Sequence, residues 1–426
     1  LTEKSVPTAA AKKISPARLA AFRVLERVGC SDEHSDDLLH GRALAGLSQV
    51  DINLANALVL GVLRWQIAID ARIHPLLQRP DITMPSAVAT ALRLGALQLL
   101  YMDRIPAHAA LSESVELMRA AHEPQAAGMV NAVLRAMTRQ GAVRRPLVES
   151  TTAVAQRLGH PAWLVERWVK RYGSAAAIAI CEFDQKEPGD AALFKDIIAN
   201  GVRIDDGSRL IAEIAQMFLR EAAQTNGAAL KIWDCCAAPG GKTAVLAARH
   251  PEASVLASDV SPRRLKAMAE RMGAESRIRT LVADAIALPE DEGDFDLILC
   301  DAPCSGTGTL ARNPEIRHRL RPEELKRQAV RQKQLLAAVA GRLKPGGRLV
   351  YSTCSLEQEE NEAVVEAVLA AGAPLRRISV ESTLTALESS GTLKVNIAAV
   401  SDGYLRTLPG ANFDGDGFFT ALFERV

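Results

Sequence analysis

Three short runs in this chain hold residues that could do chemistry together. The first is Asp234-Cys-Cys-Ala-Ala-Pro-Gly-Gly-Lys-Thr243. Small residues and adjacent glycines let backbone approach a ligand where a strand passes into a helix. A Walker loop would need a glycine where Cys236 stands, and a dinucleotide fingerprint would need glycines spaced G-x-G-x-x-G, so both patterns fail. An S-adenosylmethionine loop fits better, because acidic residues recur at later strand ends. Asp259 lies 25 residues after Asp234, and Asp284 another 25 on. A carboxylate after the second strand can hold ribose hydroxyls, and one after the third can meet adenine.

The other two runs are Asp301-Ala-Pro-Cys-Ser-Gly-Thr-Gly308 and Tyr351-Ser-Thr-Cys-Ser355. Each follows an apolar, strand-like run, so Cys304 and Cys354 should reach the same crevice as the glycine loop. A thiolate beside a methyl donor suits one chemistry in particular. Carbon 5 of a pyrimidine is a poor nucleophile, but adding a thiolate to carbon 6 makes an enamine-like intermediate whose carbon 5 can take a methyl group. Loss of the carbon-5 proton and elimination of the thiol then release the product. An unperturbed cysteine is mostly protonated at neutral pH, so the site must promote its ionisation.

The elements that would position these loops are legible from periodicity. From Leu230 onward, strand and helix patterns alternate. Strands are expected at Leu230–Asp234, Ser254–Asp259, Ile278–Val282, Phe295–Asp301 and Arg348–Ser352. Helices are expected at Thr243–Arg249, Pro262–Met272, Glu323–Leu343 and Asn361–Ala371. That order predicts an α/β fold with a parallel sheet covered on both faces. Asp414-Gly-Asp-Gly417 is a turn before a last, antiparallel strand at Phe418–Phe423. Residues 14–140 show only helical spacing, as in Leu19, Phe22, Leu25 and Val28, with Gly and Pro breakers between runs, and predict a bundle of about five to seven helices. Pro161 opens a further helix.

Composition narrows the setting. The chain has 426 residues, 48% apolar and 24% charged, with a net charge of +1 and seven cysteines. That is long enough for two or three domains and excludes disorder as the main state. Seven is an odd number and sets no disulfide framework. No uninterrupted apolar run reaches membrane-spanning length, and LTEKSVPTAAAK at the start lacks a signal-peptide core, so a cytoplasmic protein without a membrane partner is expected. Any nucleic-acid surface must come from local clustering. Arg135, Arg139, Arg144 and Arg145 form one cluster. A second runs from Arg312 to Lys344, with ten Lys or Arg (312, 317, 319, 321, 326, 327, 331, 333, 342, 344) against three Glu (315, 323, 324).

The motifs resemble those of the RsmB/Fmu (Sun) family of RNA 5-cytosine methyltransferases. DCCAAPGGKT, DVSPRRLKAMAERMG, DAPCSGTGTLARNPEIR, LKPGGRLVYSTCSLEQEEN and DGDGFF occur in the family's order across Leu230–Val426. The resemblance implies a class I methyltransferase fold, Rossmann-like with a mostly parallel seven-stranded sheet, that uses S-adenosyl-L-methionine. It implies Cys354 as the nucleophile, Cys304 in release of the methylated RNA, and Asp301 at the cytosine's polar edge near the donor. Cys236, Ala237, Ala238, Pro239, Gly240, Gly241 and Lys242 would wrap the donor, with Asp259 at its ribose and Asp284 near its adenine.

The helical region, with Ala55-Asn-Ala-Leu-Val-Leu-Gly-Val-Leu-Arg-Trp65, resembles the NusB-like RNA-binding domain that precedes such a catalytic part. The expected organisation is a NusB-like domain over 14–142, a helical connector over 143–229 and a methyltransferase domain over 230–426. The family's small RNA-binding subdomain carries an Arg-Val-Asn motif. Here only about a dozen residues separate Gln185-Lys-Glu-Pro-Gly189 from Gly201-Val-Arg-Ile-Asp-Asp-Gly-Ser208, which implies that this subdomain is truncated. The expected partner is small-subunit ribosomal RNA, with no DNA partner, and the expected state is a monomer.

Other readings stand beside this one. A transfer-RNA substrate is one. A DNA cytosine methyltransferase would use the Pro-Cys cysteine and not need the Thr-Cys one. An RNA-binding assembly factor would keep the catalytic half only as scaffold. Cys30, Cys181, Cys235 and Cys300 read as buried packing residues. A zinc site from Cys235, Cys236, Cys300 and Cys304 lacks C-x-x-C knuckles, so no metal is expected. Phe418 and Phe419 could line a pocket for one extruded base or pack in the core.

Overall fold

The computed structural model describes residues 14–31, 33–139, 149–189, 192–195, 204–222, 229–273, 277–395 and 397–426. The chain divides into two units, residues 1–171 with 313–318, and residues 172–312 with 319–426.

The first unit is helical: α1 (Pro16–Cys30), α2 (Ser35–Leu39), α3 (Gln49–Ile73), α4 (Ser86–Tyr101), α5 (Ala107–Ala120), α6 (Ala127–Arg139), α7 (Thr151–Arg157) and α8 (Ala162–Tyr172). Local chemistry sets several starts. Pro16 occupies the first turn of α1, and the Ser48 and Ser150 hydroxyls accept from Asp51 N and Ala153 N at the starts of α3 and α7. Phe22, Leu25 and Val28 are buried as their spacing predicts, and Leu19 packs against the same core. By length and composition α3 could cross a bilayer. Here Leu58, Val59, Val62, Leu63 and Ile69 bury it in the bundle core. Residues 313–318 also pack in this unit, where Arg317 Nη1 donates to the carbonyls of Arg64 and Gly159 at 3.0 and 3.1 Å.

The second unit opens with α9 (Ser174–Phe183) and α10 (Asp206–Ala222), then alternates. The strands are β1 (Lys231–Asp234), β2 (Ser254–Asp259), β3 (Ile278–Val282), β4 (Phe295–Asp301), β5 (Leu343–Thr353), β6 (Leu375–Ile378), β7 (Val400–Ser401), β8 (Tyr404–Arg406) and β9 (Phe419–Arg425). The intervening helices are α11 (Gly241–Arg249), α12 (Pro262–Met272), α14 (Pro322–Ala340), α15 (Glu362–Ala370) and α16 (Val380–Ser389), while the short α13 (Ile316–Arg319) belongs for its first three residues to the first unit.

Strands β3-β2-β1-β4-β5 pair in parallel. β9 runs antiparallel to β5, with Thr353 opposite Phe419. Its far side takes β6 and β8. In β4, Leu297 and Leu299 face a core shared with α10, α11 and α16, while Ile298 and Cys300 face one shared with α14 and α15. That double burial is why β4 reads as an almost unbroken apolar run.

Three sequence expectations are corrected. Among the described residues the sheet has nine strands, not seven, because the β7–β8 hairpin widens it. Asp402 and Gly403, both at positive φ, make the two-residue turn of that hairpin. Helix α14 ends at Ala340, because Leu343 already pairs with Phe295. Lys344-Pro-Gly-Gly347 is therefore a bulge within β5, between the pairs Phe295–Leu343 and Leu297–Arg348. Cys30 is exposed at the end of α1, off the apolar face.

Candidate active site

All three chemistry-bearing runs leave the carboxyl ends of neighbouring strands. β1 delivers the glycine loop, β4 the Pro-Cys loop and β5 the Thr-Cys loop, and β1–β4 and β4–β5 are adjacent. Ser352 lies beside Asp301 in register, and Ala302 N donates to Ser352 O at 2.8 Å, so the two cysteine loops start side by side.

The loop after β1 is stitched to β2. Ala237 N donates to Ser258 O at 2.8 Å, and Ala238 N to Asp259 Oδ2 at 3.3 Å. Gly240 has φ +103°, and a Cβ there would come within 2.7 Å of Met268. Glycine is therefore required by both backbone and space. Asp259 also accepts from Ser261 N at 2.9 Å, with Arg264 Nη1 at 3.6 Å from its Oδ2. Asp234 is buried and accepts from Thr243 Oγ1 at 2.6 Å, while its Oδ1 is buried with no hydrogen-bond partner. Burial pushes its carboxyl up to about 7.

Lys242 reaches from this loop to the end of β4, where Nζ lies 2.7 Å from Asp301 Oδ2 and 5.2 Å from the centroid of the Phe418 ring. Burial pulls Lys242 down, but Asp301, with Asp205 and Cys354 behind it, holds the ammonium above its ordinary range. Phe418 is buried in the core facing α10, and Phe419 packs on the other face with Tyr351 and Tyr404. Packing thus accounts for both rings. Asp284 stands apart. It is exposed and caps the turn that follows β3, accepting from Ile286 N at 3.0 Å.

The sulfurs of Cys304 and Cys354 are 3.3 Å apart. The bond to Cys354, and then burial, push the Cys304 thiol well above its usual range. Cys236 is also held well up, first by its bond to Cys235 and then by burial. Cys235 and Cys300 are buried, as their packing reading predicts. Gly308 N donates to Cys354 O at 2.9 Å, and Gly417 N to Gly308 O at 2.7 Å. A Cβ on Gly308 would lie 2.3 Å from Gly417 O. Gly308→Ala must therefore push two backbones apart. The expected cost is about 1–3 kcal/mol, seen as a lower melting temperature together with lost activity. A variant that melts and turns over like the parent would disprove this packing.

One group escaped the sequence reading altogether. Glu360 is fully buried among polar partners contributed by both cysteine loops. It sits in Glu357-Gln-Glu-Glu360, which in the sequence looks like a solvated charged run.

The second basic cluster is narrower in the structure than in the sequence. Arg317 is buried, Arg312 Nε lies 2.7 Å from Asp416, Lys344 pairs with Asp296, and Arg342 donates to the carbonyls of Leu288 and Glu292. What faces solvent on α14 is Lys326, Arg327 and Arg331, with Glu324 paired to Arg327. In the first cluster, Arg135 and Arg139 are exposed on α6, whereas Arg144 and Arg145 lie outside the described residues. So does most of the short link between Gly189 and Ile204.

A doubly covered parallel sheet, a glycine loop after its first strand and carboxylates after the next two define an S-adenosylmethionine-dependent methyltransferase. Comparison with known proteins gives the family. Residues 223–424 match the model of the 16S rRNA methyltransferase RsmB/F family, and residues 15–139 match the NusB family. The chain is 31% identical to the probable ribosomal RNA small subunit methyltransferase B of Bacillus subtilis (strain 168), over 89% of this chain and 92% of that one. It is 33% identical to ribosomal RNA small subunit methyltransferase B of Xanthomonas campestris pv. campestris, over 83% and 87%. The crystal structure of PH0851 shares the fold at a TM-score of 0.72, with 21% identity over 98% of this chain and 100% of that one. The chain belongs to the RsmB/F family of 16S rRNA methyltransferases.

Proposed function

We propose that this enzyme methylates carbon 5 of a cytosine in 16S ribosomal RNA through a covalent bond between Cys354 and carbon 6. The observation that carries this reading is the thiol pair. Two cysteine sulfurs 3.3 Å apart sit past the ends of adjacent parallel strands, one strand away from the glycine loop.

The residues around that loop fit the donor. Gly240 takes the positive φ that the tight loop needs, and the buried Asp234 Oδ1 has no hydrogen-bond partner. Val260, Val282 and Ile286 stand exposed beside Asp259 and Asp284, an apolar set suited to the face of an adenine ring. Residues 236–242 would hold the methionine part, Asp259 the ribose hydroxyls and Asp284 the adenine amine. When bound, S-adenosylmethionine supplies an electrophilic methyl group.

The protein's own part is to make carbon 5 able to accept it. Cys354 Sγ forms the bond to carbon 6, and the electron pair of the 5,6 double bond shifts toward carbon 5. Asp301, fixed by Lys242, faces the polar edge of the base. Once carbon 5 carries the methyl group, its proton leaves to a base, the double bond re-forms and the Cys354 sulfur departs. The target base must leave its stack to reach the thiols. Both sulfurs must stay reduced, which suits the cytoplasm.

The helical unit and α14 are the proposed grips on RNA. Replacing Lys326, Arg327 and Arg331 together by alanine should weaken RNA binding and flatten the slope of log affinity against log salt by about 2, with donor affinity unchanged. An unchanged slope would remove α14 from the interface. The reaction itself is tested by nucleoside mass spectrometry of unmodified 16S rRNA incubated with the enzyme and S-adenosylmethionine. New 5-methylcytosine supports the proposal, and methylation at any other atom overturns it.

A further inference from the structure

The two cysteine loops share one buried carboxylate. Glu360 Oε1 accepts from Ser305 N at 2.8 Å and from Gln332 Nε2 at 3.2 Å. Glu360 Oε2 accepts from the hydroxyls of Ser305 and Ser355, which lie 3.1 Å from each other. Ser305 directly follows Cys304, and Ser355 directly follows Cys354. The frame extends outward on both sides. Gln332 Nε2 also donates to Pro303 O at 2.9 Å, and Tyr351 OH donates to Glu360 O at 2.7 Å. Asn361, next in the chain, takes the Thr353 hydroxyl at 2.5 Å on its Oδ1 and gives its Nδ2 to Ser355 O at 2.9 Å.

We infer that Glu360 is a positioning residue that sets the spacing of the Cys304 and Cys354 sulfurs by clamping the residue after each of them. Glu360 touches neither the substrate nor the donor in this role. The roles of the two thiols themselves rest on the function proposed above.

Pairing of β4 with β5 ends at Asp301–Ser352 on this side; beyond it Gly308 N on Cys354 O and Leu356 N on Thr307 Oγ1 join the loops further along, and Glu360 holds the residue directly after each cysteine. A carboxylate can accept about four hydrogen bonds, and here it accepts four from three side chains and one backbone amide. A short polar side chain on either loop could not reach the other loop and the α14 glutamine together. The buried charge also bears on the chemistry, since Glu360 is among the groups that hold the Cys304 thiol up. Misplacing a reacting group by about 1 Å can cost about 100-fold in rate, so a clamp at this point has a large effect without contact.

Two variants separate positioning from simple loss of fold. Glu360→Gln keeps the volume and can keep the Oε1 bonds, with the serine hydroxyls turning to accept from the new amide. Ser305→Ala with Ser355→Ala keeps the carboxylate and its backbone bond from Ser305 N, but removes both hydroxyl bonds, the carboxylate's hold on the Thr-Cys loop among them. The first readout needs no RNA. Diamide takes two electrons and two protons from a neighbouring thiol pair and is itself reduced to the hydrazine. In the parent enzyme it should close a Cys304–Cys354 disulfide rapidly, as judged by peptide mass spectrometry. The double serine variant should close it at least about tenfold more slowly, with parental circular dichroism and donor binding, and Glu360→Gln should fall between. The second readout is turnover: kcat should fall in the same order while KM for RNA stays put. If both variants form the disulfide at the parental rate, Glu360 does not set the spacing. If the disulfide slows but the parent makes no 5-methylcytosine, the clamp stands and the proposed reaction falls.

Discussion

Cys354→Ala should form no covalent complex with RNA and lose methylation by about 10⁴-fold or more, the scale expected when an enzyme nucleophile is removed. The rest of the site should be unaffected. The Thr-Cys loop is held by backbone and by neighbouring side chains: Cys354 O accepts from Gly308 N at 2.9 Å, and Asn361 and Glu360 bind Ser355. None of these bonds uses the Cys354 sulfur. The variant should therefore melt like the parent and bind S-adenosylmethionine normally. Cys354→Ser is the sharper version, because it keeps nearly the same shape and replaces the thiol by a hydroxyl that ionises far less readily. RNA carrying 5-fluorocytosine reports the step directly. Fluorine cannot leave carbon 5 as a proton does, so any adduct is trapped and runs as a slower band on a denaturing gel. A trapped adduct in Cys354→Ala would move the nucleophile elsewhere, with Cys304 the obvious alternative.

How far the sequence could reveal this site depended on the range of the interactions involved. The inner parallel strands β1, β2, β4 and β5 are legible because burial on both faces leaves apolar runs such as Phe295–Asp301, whereas β3 is an exposed edge strand. The loops at their ends were legible because glycine, proline and cysteine are unusual there. β6 was missed because Leu375-Arg-Arg-Ile378 is short, with both arginines exposed. The β7–β8 hairpin does carry a sequence signal, the Asp402-Gly403 pair between two short β-prone runs. The end of α14 was misplaced because Lys-Pro-Gly-Gly reads as a helix stop, whereas pairing of Leu343 with Phe295 had already begun the strand.

Electrostatic pairing is less legible still. Ten basic residues in one stretch look alike in a sequence, yet Arg317 is buried on backbone carbonyls and Arg312 is paired with Asp416 across 104 residues of chain. Glu360 is the same problem in reverse, a charge in an acidic run whose partners Ser305 and Gln332 come from two other elements. Pairings of this kind are fixed by tertiary contact, and spacing along the chain does not encode them.

Cys304→Ala should give the opposite result to Cys354→Ala: the covalent complex forms and then persists. What holds the Cys304 proton decides between the two outcomes. The first cause of its raised pKa is the bond to Cys354, 3.3 Å away, and the next is burial. Before addition, Cys304 is thus kept as a thiol beside the sulfur that must ionise. After addition, the Cys354 sulfur is a neutral thioether, and its share of the effect disappears. Cys304 then gives up its proton more readily than before, at the stage when the carbon-5 proton has to be removed. In the proposed mechanism the pair itself would order the two steps, because Cys304 keeps its proton while the Cys354 thiol lies beside it. Without Cys304, one round of methyl transfer should still occur, with turnover falling by about 100-fold or more and methylated RNA remaining bound through denaturation. Mass spectrometry of the trapped peptide should find the nucleotide on Cys354. The DNA-type assignment predicts that Cys304→Ala forms no adduct at all, so this one variant decides which sulfur attacks. A slow variant with no accumulated complex, but intact addition to 5-fluorocytosine RNA, would instead assign proton removal to another base and leave Cys304 only its packing.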